Sequence, residues 1–348
     1  MTDMTTGPTE GRSLVGTLRS IPPGVLWTLG FGLAALSPLV ITDQYLFRMF
    51  TMIAIWSILA LGQNIITGFC GQLSYGQAAF YGIGAYTSAL LTIHLGLPFP
   101  ITLICAVALS AAFGLLIGYP ATRIGGDYLF LVTIGFAEIC RLVFLNWDSV
   151  TNGAVGLPNI PPISLFGHQL WTNQEYFLLS LALLAVVVAI TNRISASDIG
   201  RCFLAVREDE IAARAVGINV ARYKLLAFGL GAGISGVAGA IVAHFLSYVG
   251  PDMFTNWEST LVFAIVLVGG LGSVPGTILG AAVIIGIFES ARGISDYRLY
   301  IAGGLLLFVV LVRPQGLLGA VKLRRPGPSP AVDPEPEPEK EMEKTHGA

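Results

Sequence analysis

Charged side chains make up only 11% of this chain, against about 25% in ordinary soluble domains. A soluble surface cannot be covered with so little charge. Cysteine is scarce as well. Cys70, Cys105, Cys140 and Cys202 show no CxxC spacing, which excludes a disulfide framework or a zinc site built on paired thiols. Each cysteine reads as small apolar packing. Nothing resembles G-x-x-x-x-G-K-[ST], the loop that cradles nucleotide phosphates, so the chain is not expected to bind ATP. No catalytic residue, metal or cofactor is expected. Residues 1–20 are polar and no small-residue cleavage site follows the first apolar run, so no cleavable signal is expected.

What is present is apolar sequence in long runs: 54% of the residues are hydrophobic and 42 are Gly. Runs of roughly 18 to 22 apolar residues are the length of membrane-crossing helices. About ten spans can be drawn, roughly 24–41, 46–67, 74–95, 99–119, 127–146, 175–192, 223–245, 258–273, 276–290 and 299–312. The expected fold is all-α, a polytopic membrane helix bundle. Alternating the sides leaves only Arg48, Arg141, Arg292 and Arg298, of 19 Lys and Arg, on one face. The richly basic face is then cytoplasmic and holds both termini. Residues 1–23 form a cytoplasmic segment, 24–319 the transmembrane domain, and 320–348 a Pro/Glu-rich tail expected to be disordered.

Polar residues interrupt this pattern in two places. The first is 62–86, GQNIITGFCGQLSYGQAAFYGIGAY, where Gln63, Asn64, Gln72, Ser74 and Gln77 interleave with glycines. Polar groups at membrane depth need partners in a bundle interior or a wet cavity. A helix broken at a cavity is a recurrent transporter feature, and hydrogen-bonded helix packing is the competing explanation. Asn64, Gln72, Ser74, Gln77 and Tyr81 are therefore candidate lining of a substrate pathway. A second glycine-rich segment, 269–286, and the small residues Gly229, Gly233, Ser235 and Gly239 read as packing faces. Glu138/Arg141 and Glu289/Arg292 are three apart late in their spans and read as structural ion pairs. His244 reads as interfacial. No span carries an acidic residue near its centre, which argues against ion-coupled transport.

The second interruption is Asn192–Lys224, NRISASDIGRCFLAVREDEIAARAVGINVARYK, a charged island between apolar runs. Within it, Asp209–Val216 is a candidate short helix. Asp209 suits the N-cap, Glu210 the first turn, Arg214 the last turn, and Gly217 the stop. Ile211, Ala212, Ala215 and Val216 form its apolar face, and small Ala212 and Ala213 suit entry into a groove. About eight residues do not hold a helix in water unaided, so this one must dock, either on a partner or on the chain's own helices.

Glu210-x-Ala212-Ala213-xxx-Gly217 resembles the EAA loop of ABC importer permeases. REDEIAARAVGINVARYKLLAF is more specifically similar to branched-chain amino-acid permeases of the LivM type. So are GQLSYGQAAFYGIGAY (71–86), GDYLFLVTIGFAEICRLV (126–143), VGGLGSVPGTILGA (268–281) and VRPQGLLG (312–319), in the family's order. The resemblance implies a multi-pass prokaryotic cell-membrane subunit moving branched-chain or related hydrophobic amino acids into the cytoplasm. Its implied partners are a second, LivH-like permease subunit, two cytoplasmic ATPase subunits and an extracytoplasmic substrate-binding protein. Membrane lipid surrounds it, and no nucleic acid is expected. The implied coupling residues are Arg207, Glu208, Asp209, Glu210, Ala212, Ala213 and Gly217, in a coupling loop over 193–223. Many members carry His where Gln77 stands. The alternatives are a permease for urea, short-chain amides or other small organic acids, and, outside the family, an ion-coupled secondary transporter or a channel.

Overall fold

The computed structural model describes residues 43–123, 127–165 and 167–290, with a few isolated positions on either side. Ten helices longer than one turn organise these residues: α1 Gln44–Gln63, α2 Gln77–Leu95, α3 Phe99–Ala121, α4 Asp127–Asn146, α5 Asn173–Ala196, α6 Asp198–Glu208, α7 Glu210–Ala215, α8 Val220–Leu246, α9 Asn256–Gly269 and α10 Val274–Ser290. Six of them, α1 to α5 and α8, are long and apolar enough to cross a membrane. The expected span at 258–273 is shorter than drawn. With 14 residues, α9 is about 21 Å long, too short to cross a hydrocarbon core of about 30 Å alone. At 17 residues α10 is also short. The drawn spans 24–41 and 299–312, Arg292 and the 320–348 tail lie almost wholly outside the described residues.

Local signals set the helix ends. Asp43 accepts from the Tyr45 N–H at the start of α1. Thr172 with Glu175, and Thr255 with Glu258, form reciprocal capping boxes at α5 and α9, each satisfying orphan amides that open a helix. Between α4 and α5 the chain makes short irregular pieces and two small two-stranded pairings. In one, β1 (Leu157–Pro158) pairs with β4 (Tyr248–Val249) just after α8; in the other, β2 (Ser164–Leu165) pairs with β3 (His168–Gln169). Trp147 and Trp171 flank this region and are exposed.

At the centre stands α8, packed most extensively against α3 and α2 and also against α1, which in turn contacts α5, α9 and α10. Between apolar helices in lipid there is no hydrophobic drive, and close backbone approach must supply the attraction. The glycines do this. A Cβ on Gly84 would stand 2.6 Å from Gly236, one on Gly239 would stand 2.2 Å from the Tyr81 carbonyl, and one on Gly62 would meet the Gly231 carbonyl at 2.6 Å. The expected packing role of Gly276 and Gly280 also holds: Gly276 lies on Gly269, and Gly280 lies on Ile265 and Gly269.

α6 and α7 sit together at one end of the bundle, joined to the C-terminal end of α5 and the N-terminal end of α8. At the opposite end His244 is buried, not interfacial as its position suggests. Its Nε2 lies 3.0 Å from Ser88 Oγ and its Nδ1 2.8 Å from the Pro161 carbonyl. Irregular residues from the long connection therefore seal the polar end of α8. Glu138 and Arg141 do form an ion pair at 2.5 Å.

The glycine contacts generate a stability prediction. Gly239→Val should lower the thermal unfolding midpoint in detergent, by several degrees or more, because overpacking costs about 1–3 kcal/mol and the opposing atoms here are backbone. Gly135→Ala, where an added methyl meets nothing within 4 Å, should leave the midpoint unchanged. Equal midpoints for the two variants would contradict the packing argument.

Candidate functional site

The helix α1 does not end cleanly. After Gln63 it widens into a π turn, Asn64–Phe69, and the backbone then runs without helix to Gln77. The amides leaving the helix are satisfied across this widening: Cys70 N–H donates to the Ile65 carbonyl and Gln72 N–H to that of Ile66. Gly71 follows at φ +73°, a left-handed conformation that a side chain would strain. Its missing side chain also makes room, since a Cβ there would lie 2.8 Å from Arg207 Cγ. Gln63 holds the segment from inside, donating from Nε2 to Thr67 Oγ1 and to the Ser74 carbonyl, both at 2.8 Å.

A second break, residues 270–273 between α9 and α10, lies directly against the first. Asn64 Oδ1 accepts from the Gly272 N–H at 2.8 Å, and its Nδ2 reaches the Ser273 carbonyl at 3.5 Å. A Cβ on Gly68 would come within 2.5 Å of the Gly272 nitrogen. Neighbouring helices close the rest. Tyr75 donates its N–H to Thr133 Oγ1 and its hydroxyl to Thr260 Oγ1, and Ala78 N–H donates to Ser259 Oγ. Ser235 of α8 donates to Gln77 Oε1. Two buried amide atoms, Gln77 Nε2 and Gln63 Oε1, find no partner among the described residues.

Beneath this junction lies the charged corner of α6 and α7. The charged island folds as two helices, not as a loop carrying one. α6 presents Phe203 and Val206 inward. Asp209 breaks the line with extended backbone and caps α7, accepting from the N–H groups of Ile211 and Ala212 at 2.7 and 3.1 Å. Gly217 ends the turn at φ +86° with open space around it. Cap and stop thus stand where the sequence puts them.

The contacts of α7 differ from its expected face. Ile211 and Val216 are 78% and 76% exposed, and Ala212 and Ala215 are exposed too, while Ala213 is buried against the chain itself. The two alanines therefore point to different surroundings. Glu208 and Asp209 are exposed. Arg207 and Glu210 face the membrane helices. The Arg207 guanidinium donates to the Gly68 carbonyl at the end of the π turn. Glu210 Oε1 lies 2.5 Å from Lys224 Nζ and accepts from Gln72 Nε2 at 3.3 Å. Lys224 is 1% exposed. Gln72, a pathway candidate, is thereby tied to the charged corner. Cys70 lies beside this pair. Burial pushes its thiol up to about 12, Lys224 opposing and Glu210 adding to the shift, so it stays protonated at neutral pH.

Of the pathway candidates, Asn64 joins the two breaks, Ser74 is held by Gln63, and Gln77 meets Ser235 of α8. Tyr81 lies further along α2, its ring edge-on to Phe254 with centroids 5.3 Å apart. Sequence reading passed over Lys224, Ser235 and Gly272 as site residues. Lys224 had a usable signal: it is the last charge before an apolar run of more than fifteen residues, where an ammonium group needs a partner.

Residues 45–310 match the family described as branched-chain amino acid transport system / permease component. The chain belongs to this family. The permease is 40% identical over 291 residues to the high-affinity branched-chain amino acid transport system permease protein LivM of Salmonella typhimurium, covering 77% of this chain and 68% of that one. Similarity to LivH of Escherichia coli is 28% over 307 residues, covering 81% and 97%. Similarity extends to the ribose import permease protein RbsC of Escherichia coli, at 25% over 292 residues, covering 80% and 88%. The permease is a multi-pass membrane protein, and its paired breaks fall inside the matched region.

The junction yields its own prediction. Asn64→Ala should destabilise the permease by about 1 kcal/mol, because the half-buried Gly272 amide would lose its acceptor. Thermal unfolding in detergent, read beside Thr87→Ala, a half-buried threonine that bonds within its own helix, checks this; equal effects would count against the lock.

Proposed function

We propose that this chain is the transmembrane permease subunit of an ABC importer that passes branched-chain or related hydrophobic amino acids into the cytoplasm. The single observation that carries the reading is the 40% identity to a LivM permease over most of the chain. It works beside a second, LivH-like permease subunit, over two cytoplasmic ATPase subunits and under an extracytoplasmic substrate-binding protein. Both termini and the α6–α7 corner lie on the cytoplasmic side, in keeping with the Lys/Arg imbalance.

α7 supplies the docking element. Its six residues cannot persist alone in water, yet it presents Ile211 and Val216 outward beside Ala212, the form of a short helix that enters a partner's groove. Arg207, Glu208, Asp209, Glu210, Ala213 and Gly217 shape and hold that element. Along the pathway, Asn64, Gln72, Ser74, Gln77 and Tyr81 are the candidate lining, and Gln77 has the most support because its buried Nε2 is uncommitted. A permease for another small solute is the second reading. It is favoured by the similarity to a ribose import permease, which associates the same scaffold with a different cargo.

Vesicles reconstituted with the whole assembly test the class. Branched-chain amino-acid uptake should require ATP, the ATPase and the binding protein, and should ignore an imposed proton or sodium gradient. Gradient-driven uptake by this chain alone would sink the importer reading. The docking surface is tested separately. Ile211→Asp should weaken retention of the ATPase on the purified permease at least tenfold, about 1.4 kcal/mol. Gly217→Val, strained by roughly 1–2 kcal/mol at positive φ, should do so less severely, and both should leave membrane insertion intact. Full ATPase retention by Ile211→Asp would refute docking through this face.

A further inference from the structure

Arg207 and Glu210 belong to the motif that points to ATPase contact, yet their side chains face the other way. Arg207, in the last turn of α6, grips the carbonyl of Gly68, where the π turn of α1 ends. Its aliphatic stem lies over Gly71, whose lack of a Cβ admits it. Glu210, in the first turn of α7, reaches past the capped corner with Oε1 to Lys224 of α8 at 2.5 Å and to Gln72 at 3.3 Å, while its Oε2 lies 3.5 Å from Arg214 of α7 itself. Gln72 also reaches the Cys70 carbonyl at 3.4 Å. The two charged residues thus hold the broken segment at both ends of its sharpest turn. From there Asn64 ties the segment to the second break at Gly272.

We propose that Arg207, Glu210 and Lys224 form an internal joint that delivers movement of α7 to the broken segment 64–76, with Glu210 acting inward on Lys224 and Gln72 instead of outward on the ATPase. This rests on the importer reading for its driving force. The physical argument is that a buried ammonium cannot part from its carboxylate without a large desolvation cost. Lys224, Glu210 and Gln72 therefore move together. The Gly68 carbonyl has left the regular helix and relies on Arg207 in the same way. A displacement of α7 by a docked partner cannot stay local, because the contacts that fix α7 are the ones that satisfy the broken segment. These residues are positioning residues; none is assigned a contact with substrate.

The test uses the complete importer in vesicles, with leucine as the probe. Glu210→Gln should retain the ATPase within about twofold of the parent protein but lower leucine uptake per ATP hydrolysed at least tenfold. Loss of ATPase retention would overturn the proposal by making Glu210 an outward contact, and an unchanged uptake-to-ATP ratio would overturn it as well. Glu210→Gln/Lys224→Met, which removes the stranded ammonium, separates coupling from stability. Its unfolding midpoint should return toward that of the parent while the ratio stays low. Recovery of both together would reduce the pair to a structural role and overturn the joint.

A second measurement needs no ATPase and so stands apart from the importer reading. In the full chain in lipid nanodiscs, alkylation of Cys70 by a maleimide, quantified by mass spectrometry against Cys140, should rise at least fivefold in Arg207→Gln and in Glu210→Gln. Both cysteines are buried. Because removal of the Glu210 charge itself favours the Cys70 thiolate, the rise in Arg207→Gln is the one that reports release of the segment. A rise in Glu210→Gln alone would overturn the joint. Unchanged Cys70 labelling in both variants would overturn the joint. Ile211→Asp, which alters only the exposed face, should leave Cys70 protected; deprotection there would equally overturn the division between an outer docking face and an inner joint.

Discussion

A backbone N–H or C=O that leaves a helix inside an apolar bundle has no water to turn to, and the centre of this structure is arranged around that constraint. α1 opens at Asn64–Phe69, and several of the groups released there are met by named partners. Amides of residues 70 and 72 fold back onto carbonyls of the π turn. Gln63 takes the Ser74 carbonyl and Arg207 the Gly68 carbonyl. Asn64 then satisfies an amide of the other break, 208 residues away. The two interruptions stabilise each other, and neither would persist against a plain apolar helix.

Bringing them together requires that the helices around them approach closely. Glycine supplies this at α2–α8 and α9–α10, where backbones touch and no side chain intervenes. The same packing leaves α3, α4 and α5 with broad apolar faces turned outward, in keeping with a lipid surround. Glycine contacts run along the length of α8, while the hydrogen-bonded breaks sit near its α7 end. A transporter has use for that division, since a part that must rearrange is best built from contacts that have alternatives.

Much of the bundle was legible because membrane helices announce themselves by length and composition. Boundaries of α2 to α5 and of α8 fall within a few residues of the apolar runs that predict them. The α7 cap and stop were legible for a different reason. Asp209 acts on amides two and three residues away, and Gly217 answers a local backbone angle, so both are matters of near sequence. The end of α9 was obscured by continuous apolar composition across the break at 270–273, where Gly270 follows the last helical residue.

What the sequence determined by itself was the class of protein, the polar interruption of α1 and the existence of a capped helix in the charged island, all set by neighbours along the chain. Only the tertiary structure decided where the polar groups point. Asn64 meets Gly272 and Gln77 meets Ser235 across separations that no periodicity encodes. Glu210 turns inward because Lys224, buried at the start of α8, has no other carboxylate among the residues described within ion-pairing distance. A motif can name that carboxylate, but its direction is fixed by the one ammonium that desolvation compels it to meet.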